Sequence, residues 1–128
     1  MTESDPLRAP IDGAEHSDLN GVEVDVVAAG EGRVKRVVYP VGYRWSTHIK
    51  PAVGTERCMH AHVGFLVRGR MAGEYADGCT FELEAPAVVV VDPGHDAWTI
   101  GDEAAVYVEF DFEGDTAARL GLPTEHRH

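Results

Sequence analysis

The sequence has few basic residues, few aromatic side chains and only two cysteines. Its 128 residues include 11 Lys and Arg against 22 Asp and Glu, which gives a formal net charge of −11. Nucleic acids and anionic membrane surfaces attract cationic proteins, so we expect neither as a partner. Two cysteines do not suggest a disulfide framework, and we therefore expect a reduced, cytoplasmic compartment.

Long apolar runs are also absent from the sequence. The longest, residues 85–91, contains a proline and is far shorter than the roughly 20 residues that a membrane helix needs. The first residues lack the basic and apolar regions of a secretory signal. A hydrophobic share of 44% is enough for the core of one domain. Residues 1–20, rich in acidic residues and without periodicity, are predicted to form a loose arm or a strap across that domain.

Short β-patterned segments separated by turn residues make up most of the remaining chain. An Asp-Gly pair predicts a hairpin between residues 70–75 and 80–83. Residues 47–50 are interpreted as a further short strand, and the apolar run at residues 88–91 as a fully buried one. Residues 116–120 are interpreted as one short helical turn. About nine short strands with almost no helix predict an all-β sandwich or barrel.

One predicted strand, residues 55–67, carries a metal-binding side chain at every second position over its first half. Successive side chains on a strand point to opposite faces, so four such groups would share one face. A fifth candidate, a histidine, follows a Pro-Gly turn later in the chain. The candidate metal ligands are Glu56, Cys58, His60, His62 and His95.

The chemistry of these groups favours a transition metal. Ionisable side chains are costly inside a dry barrel, and a divalent cation would compensate them. Imidazole, thiolate and carboxylate ligands suit Zn²⁺, Fe²⁺ or Ni²⁺ better than Mg²⁺ or Ca²⁺. Structural roles are the alternative: Cys58 as a small buried hydrophobe, Glu56 as a solvated carboxylate, and His95 as a turn cap.

Several segments, taken in their order and spacing, resemble the cupin superfamily of double-stranded β-helix (jelly-roll) barrels, and in particular small single-domain bacterial cupins. These segments are residues 43–46, 54–58, 62–71, 77–78 and 93–98. The resemblance implies an all-β barrel domain at residues 21–128, with its core at 21–112, an irregular N-terminal arm at 1–20 and at most one short helical turn.

The resemblance also implies a ligand set, although the residue identities are permuted. The family's first motif has two histidines, then an acidic ligand, then a glycine. Anchored on that glycine, the three ligand positions fall on Glu56, Cys58 and His62. A rival register takes His60 and His62 as the histidine pair, and Leu66 then replaces the acidic ligand.

The second family motif is shifted in this sequence. The family usually places its histidine some residues after a Pro-x-Gly turn. Here His95 follows Gly94 directly, and Ala97 stands at the usual ligand position. Residues 95 and 97 would share a strand face, so His95 would still reach the pocket.

Two functions follow from the resemblance, and both stay open. The first is a metal-dependent enzyme of dioxygenase, isomerase or lyase type acting on a small organic molecule, with His60 or an unligated Glu56 as the nearest general base. The second is a small-molecule binding or sensing module without a tightly held metal. The family also implies a homodimer, because open sheet edges need covering.

Aromatic and basic residues near the motifs add two further hypotheses. Trp45 or Trp98 could line a small apolar mouth for a flat ligand, or simply pack. Arg44, Arg68 or Arg70 could bind a substrate carboxylate or phosphate through two hydrogen bonds. Surface ion pairs are the alternative for the arginines.

Overall fold

The computed structural model describes residues 5–112 and 115–123, which form two antiparallel sheets around one core. The strands are β1 (Glu15–Leu19), β2 (Val22–Ala29), β3 (Gly32–Tyr39), β4 (His62–Arg68), β5 (Arg70–Tyr75), β6 (Thr80–Glu84), β7 (Ala87–Val91), β8 (His95–Ile100) and β9 (Ala105–Asp111). The single-turn helices are α1 (Trp45–His48), α2 (Lys50–Val53) and α3 (Thr116–Arg119). None of these helices has the length or apolar character needed to cross a membrane.

The larger sheet has six strands in the order β1-β2-β3-β9-β4-β7, and the smaller has three in the order β6-β5-β8. Neighbours such as β9 and β4 are far apart in sequence, so the chain crosses repeatedly between sheet positions. The core lies between the sheets, with Leu66 and Tyr107 from the larger one and Met71 from the smaller. The predicted jelly-roll class of fold is confirmed, and so is the hairpin of β5 and β6.

Strand β9 brings polar side chains into the barrel. Side chains alternate along a strand, and Ala105 and Tyr107 belong to the core. Glu109 and Asp111 follow at the same spacing and are also buried, whereas Phe110 is exposed. The polar face of β9 is therefore the inner face.

Glycine permits a close approach between β4 and β9. Gly64 pairs with Glu109, and a Cβ added at Gly64 would lie 2.0 Å from the carbonyl oxygen of Val108. Only a residue without a side chain fits there. This close approach places Glu109 directly beside β4, the strand that begins at His62.

Three local predictions were wrong. Residues 47–50 are helical, because α1 and α2 fill this region and Gly54 ends α2 in the left-handed conformation at φ 78°. The long strand predicted at residues 55–67 begins only at His62, and the preceding segment is a loop. Residues 88–91 are not fully buried, because β7 is an edge strand with one face on the core; Val88 and Val90 are 73% and 57% exposed.

The described part of the predicted N-terminal arm lies on the outside of the larger sheet, and it is not irregular throughout, because residues 15–19 form a strand. Residues 6, 7 and 11 line a groove together with outward-facing residues of the sheet. The Asp5 carboxylate pairs with Arg68, and Arg36 donates a hydrogen bond of 2.6 Å to the carbonyl of Ala9. Residues 15–19 then form β1, which adds a strand to the edge of the sheet.

Replacing Gly64 with Ala should lower the free energy of unfolding by about 3 kcal/mol or more, because the new methyl group meets backbone that has no room to move. Urea unfolding followed by circular dichroism measures this. Gly42→Ala is the matched control: an added Cβ there meets nothing within 4 Å, so only the left-handed backbone at φ 79° costs stability, about 1 kcal/mol. An equal decrease in the free energy of unfolding of both variants would contradict the close approach of β4 and β9.

Candidate metal centre

Cys58, His62 and His95 converge inside the barrel. One potential ligand atom from each lies within 4.8 Å of the others, and Cys58 Sγ is 3.8 Å from His62 Nε2. Backbone hydrogen bonds hold the loop of Cys58 against the start of β8: Cys58 N–H donates to the His95 carbonyl at 2.7 Å, and Gly94 N–H donates to the Cys58 carbonyl at 2.7 Å. These contacts bring two distant segments of sequence to one point.

The orientation of both imidazole rings is set by hydrogen bonds on Nδ1. His95 Nδ1 lies 2.8 Å from the Asp92 carbonyl, which can only accept, so this nitrogen carries the proton. His62 Nδ1 lies 3.1 Å from Glu109 Oε2. Each ring therefore keeps Nε2 as the nitrogen available to a cation. A carboxylate or carbonyl behind a histidine is the usual support of a metal-ligating imidazole.

A second group, formed by His60, His62 and Glu109, also brings potential ligand atoms within 4.8 Å of one another. It would use the Nδ1 side of His62, whereas the first group uses Nε2. Its carboxylate is already committed, since Glu109 Oε1 accepts from His60 Nε2 at 2.9 Å. We therefore assign the second group to support of the first.

Basic residues of β3 compensate the buried carboxylates of β9. The strand register sets Lys35 opposite Glu109 and Arg33 opposite Asp111. Lys35 Nζ is 2.7 Å from Asp111 Oδ2 and 3.5 Å from Glu109 Oε1, and Arg33 Nε donates to Asp111 Oδ1 at 2.8 Å. Buried charges need such partners, so this network explains how two acidic groups are tolerated inside the barrel.

The electrostatics of the centre favour a thiolate beside an imidazolium in the metal-free protein. Burial opposes ionisation of Cys58, but hydrogen bonds and charge from His62 and His95 outweigh it and lower the thiol pKa to about 5. Burial also opposes protonation of His62, yet the Glu109 carboxylate and Cys58 raise its pKa to about 10. His62 and His60 in turn hold the pKa of Glu109 well below its ordinary value, against the effect of burial.

The structure does not bring Glu56 into either group. Its side chain is 89% exposed and pairs with Lys50 at 3.1 Å on the surface. The prediction that four alternate residues share one face was wrong here, because alternation holds only within a strand and residues 55–61 form a loop. His60 does face the barrel, but towards Glu109 and Asp111.

Sequence reasoning missed Glu109, Asp111 and Tyr107. In β9 polar residues alternate with Val and Phe, a pattern normally interpreted as polar outside and apolar inside. The one available signal lay on β3, where Arg33 and Lys35 recur at the same spacing and could have marked a charged partner strand.

Other predicted site residues divide between the two alternatives given for them. Trp45 lines the cavity beside Cys58, as the mouth hypothesis expected. The Trp98 ring instead packs against the Arg44 guanidinium, 4.5 Å from the ring centroid. Arg44 pairs with Asp96, so it fits the ion-pair alternative, as Arg68 does.

Two cavities that share lining residues occupy the barrel interior. The outer chamber, about 390 Å³, is lined by Tyr43, Trp45, Ile49 and Cys58 among others. The inner chamber, about 40 Å³, is lined by core residues of both sheets. Both chambers are lined by His62 and His95, so the candidate centre stands at their junction.

No family model matches the chain, and no curated protein matches it. Several solved structures do match the chain. A cupin 2 conserved barrel domain protein from Salinispora arenicola has a TM-score of 0.58 at 16% identity, with 88% of this chain and 93% of that chain covered. KdgF from Halomonas sp. has a TM-score of 0.52 at 19% identity, with 75% and 85% covered. An oxalate decarboxylase has a TM-score of 0.56 at 21% identity, but the match covers 77% of this chain and only 27% of that one.

At such low identities these likenesses show the fold only, because barrels that share a topology can differ in activity. The cupin-type fold that the resemblance implied is therefore confirmed. The chain has the fold of a small cupin, with the candidate centre between its two sheets.

The thiolate of Cys58 gives a direct test of the electrostatics. In chelator-treated protein, alkylation of Cys58 by iodoacetamide should show an inflection near pH 5, because the thiolate persists down to that pKa. Peptide mass spectrometry across pH 4–10 measures the rate. Cys79, whose pKa burial and Asp77 raise, is the internal control and should react only at alkaline pH. If both cysteines titrate together above pH 8, the proposed thiolate–imidazolium pair is wrong.

Proposed function

We propose that this protein is a metal-dependent cupin that binds one divalent cation through Cys58, His62 and His95. The single observation that carries the proposal is the convergence of these three side chains, with both imidazoles held by Nδ1 and Nε2 left available. Thiolate and imidazole together suit Zn²⁺, Fe²⁺ or Ni²⁺. Glu109 would orient His62 from behind.

The proposed activity is that of an enzyme acting on a small organic molecule in the outer chamber. A bound cation would supply Lewis acidity towards a substrate oxygen, or redox chemistry if it is iron, so dioxygenase, isomerase and lyase types all fit. His60 is the nearest general base, because its ring lines the outer chamber. The carboxylates of Glu109 and Asp111, each 2.9 Å from Nε2, keep the proton on that nitrogen, so Nδ1 is the nitrogen that would accept a proton. Tyr43 and Trp45 line the chamber and would exclude water.

A binding module without a metal is the second candidate, and one observation favours it. The pKa directions of Cys58, His62 and Glu109 describe a site whose charges compensate one another without a cation. Such a site can remain folded and empty of metal. Metal content therefore separates the two functions.

Protein purified without chelator should contain about one transition metal per chain, and His62→Ala should abolish it while the barrel still folds. Glu109→Gln should weaken metal affinity by about 10- to 100-fold, because it removes only the carboxylate behind the ligand. Elemental analysis and circular dichroism measure occupancy and folding.

Glu56→Gln is the matched control for these variants, since it neutralises an exposed carboxylate that lies outside both groups. Its metal content should equal that of the wild type. Full metal retention by His62→Ala would refute the ligand assignment. A wild-type protein that stays metal-free after incubation with Zn²⁺, Fe²⁺ and Ni²⁺ would leave the binding module as the function.

We also propose that the protein is a bacterial, cytoplasmic homodimer. Cys58 forms no disulfide, and a thiolate at this position suits a reducing compartment. For the dimer, the outer face of β7 and β4 exposes Val88, Val90 and Phe65 side by side, with Val88 paired to Phe65. In the described sheet, β7 is an edge strand with unpaired backbone groups along one side.

Replacing Val88 with Lys should convert the dimer to a monomer, because a charge at the centre of an apolar contact is desolvated without a partner. Sedimentation velocity measures the change. Val53→Lys is the control: Val53 is also exposed, but it lies on α2 and away from this face. A wild-type protein that sediments as a monomer would end the dimer proposal.

A further inference from the structure

The inner chamber has one polar group that nothing in the described structure satisfies. Tyr107 lines this chamber and is only 3% exposed. Its hydroxyl has no hydrogen-bond partner among residues 5–112 and 115–123. A buried hydroxyl without a partner costs about 1–3 kcal/mol, and native proteins rarely keep one without a function or a bound water.

Three titratable groups near Tyr107 are committed elsewhere. Glu109 accepts hydrogen bonds from His60 and His62, and Asp111 binds Arg33 and Lys35. His95 donates from Nδ1 to the Asp92 carbonyl. The Tyr107 hydroxyl therefore keeps a hydrogen-bonding capacity that none of the described neighbours uses.

The surroundings of the hydroxyl favour an uncharged group. Of the described residues that line the inner chamber, none is Lys or Arg; the walls include Leu66, Phe81 and Val89. The cationic side chains nearby are already paired: Arg33 and Lys35 with acidic groups of β9, and His62 with Glu109. An anionic end group would be desolvated here without a counter-charge.

We propose that the inner chamber is a subsite for the uncharged polar end, a carbonyl or hydroxyl, of a mainly apolar small molecule, and that the Tyr107 hydroxyl binds this end. The inference deepens the proposed function and rests on it for the location of the reacting centre, since His62 and His95 line both chambers. Tyr107 is the residue that determines specificity for the end group.

The sizes of the two chambers agree with this division. The inner chamber, about 40 Å³, has room for an end group of a few atoms, because a single water needs about 10–15 Å³. The outer chamber, about 390 Å³, has room for a ring or a short chain against Tyr43, Trp45 and Ile49. A molecule that occupied both chambers would lie beside His62 and His95, which line both of them.

The test uses chelator-treated protein, so that its outcome does not depend on metal binding. Benzyl alcohol, toluene and benzoate serve as matched probes, and NMR titration gives their dissociation constants. Benzyl alcohol should bind about five- to tenfold more tightly than toluene or benzoate, the size expected of one hydrogen bond. Tyr107→Phe should abolish the preference over toluene, and Tyr75→Phe, the same change at a buried tyrosine that lines neither chamber, should keep it.

A second measurement needs no variant. In the wild-type protein, intermolecular Overhauser contacts should join the CH₂ protons of benzyl alcohol to the methyl groups of Val89 and Val91, which line the inner chamber only. Contacts confined to Ile49 and Val53 would overturn the subsite. An unchanged preference in Tyr107→Phe, tighter binding of benzoate, or no binding of any probe would overturn it as well. Loss of metal from the centre changes none of these results and bears only on the proposed function.

Discussion

The hydrogen bond between Glu109 and His62 is the contact on which the candidate centre depends. It joins β9 to β4, fixes the ring of His62, and supplies the negative charge that favours an imidazolium next to the Cys58 thiolate. A carboxylate this deeply buried needs compensation, and Lys35 and His60 provide it from two sides. Removing any one of these groups would leave a neighbour with an unbalanced charge.

The backbone makes this contact possible. Gly64 lets β4 approach β9 closely, and the register of β3 against β9 sets two cations opposite two anions. The loop that carries Cys58 has no strand of its own, so its position depends on three backbone hydrogen bonds between Cys58 and residues 94–95 at the start of β8. Within the centre, the sheet thus fixes the position of His62, whereas a loop fixes the position of Cys58.

The sequence predicted most of the fold, because turn residues and alternating segments are local signals. The hairpin of β5 and β6 and the turn at α3 were found in this way. The centre was predicted only in part. Cys58, His62 and His95 come together, but Glu56 was assigned by extending strand alternation into a loop.

The inverted polarity of β9 explains the remaining error. Its inward residues are polar because partners from β3 and β4 satisfy them, and the pattern of β9 itself does not reveal partners that lie far away in sequence. Edge strand β7 shows the converse case. The apolar run of β7 predicted burial on both faces. Only one face is buried, and the residues of the outer face, Val88 and Val90, are exposed.

The interior of the barrel is asymmetric in a way that matters for the shape of a ligand. The imidazoles of His62 and His95 line both chambers, whereas Tyr107 lines only the inner chamber and His60 and Cys58 line only the outer one. Three distinct contact points that are not in line distinguish a molecule from its mirror image. A ligand with a stereogenic centre in this interior should therefore be selected by handedness, and a prochiral one should be presented to the centre by a single face.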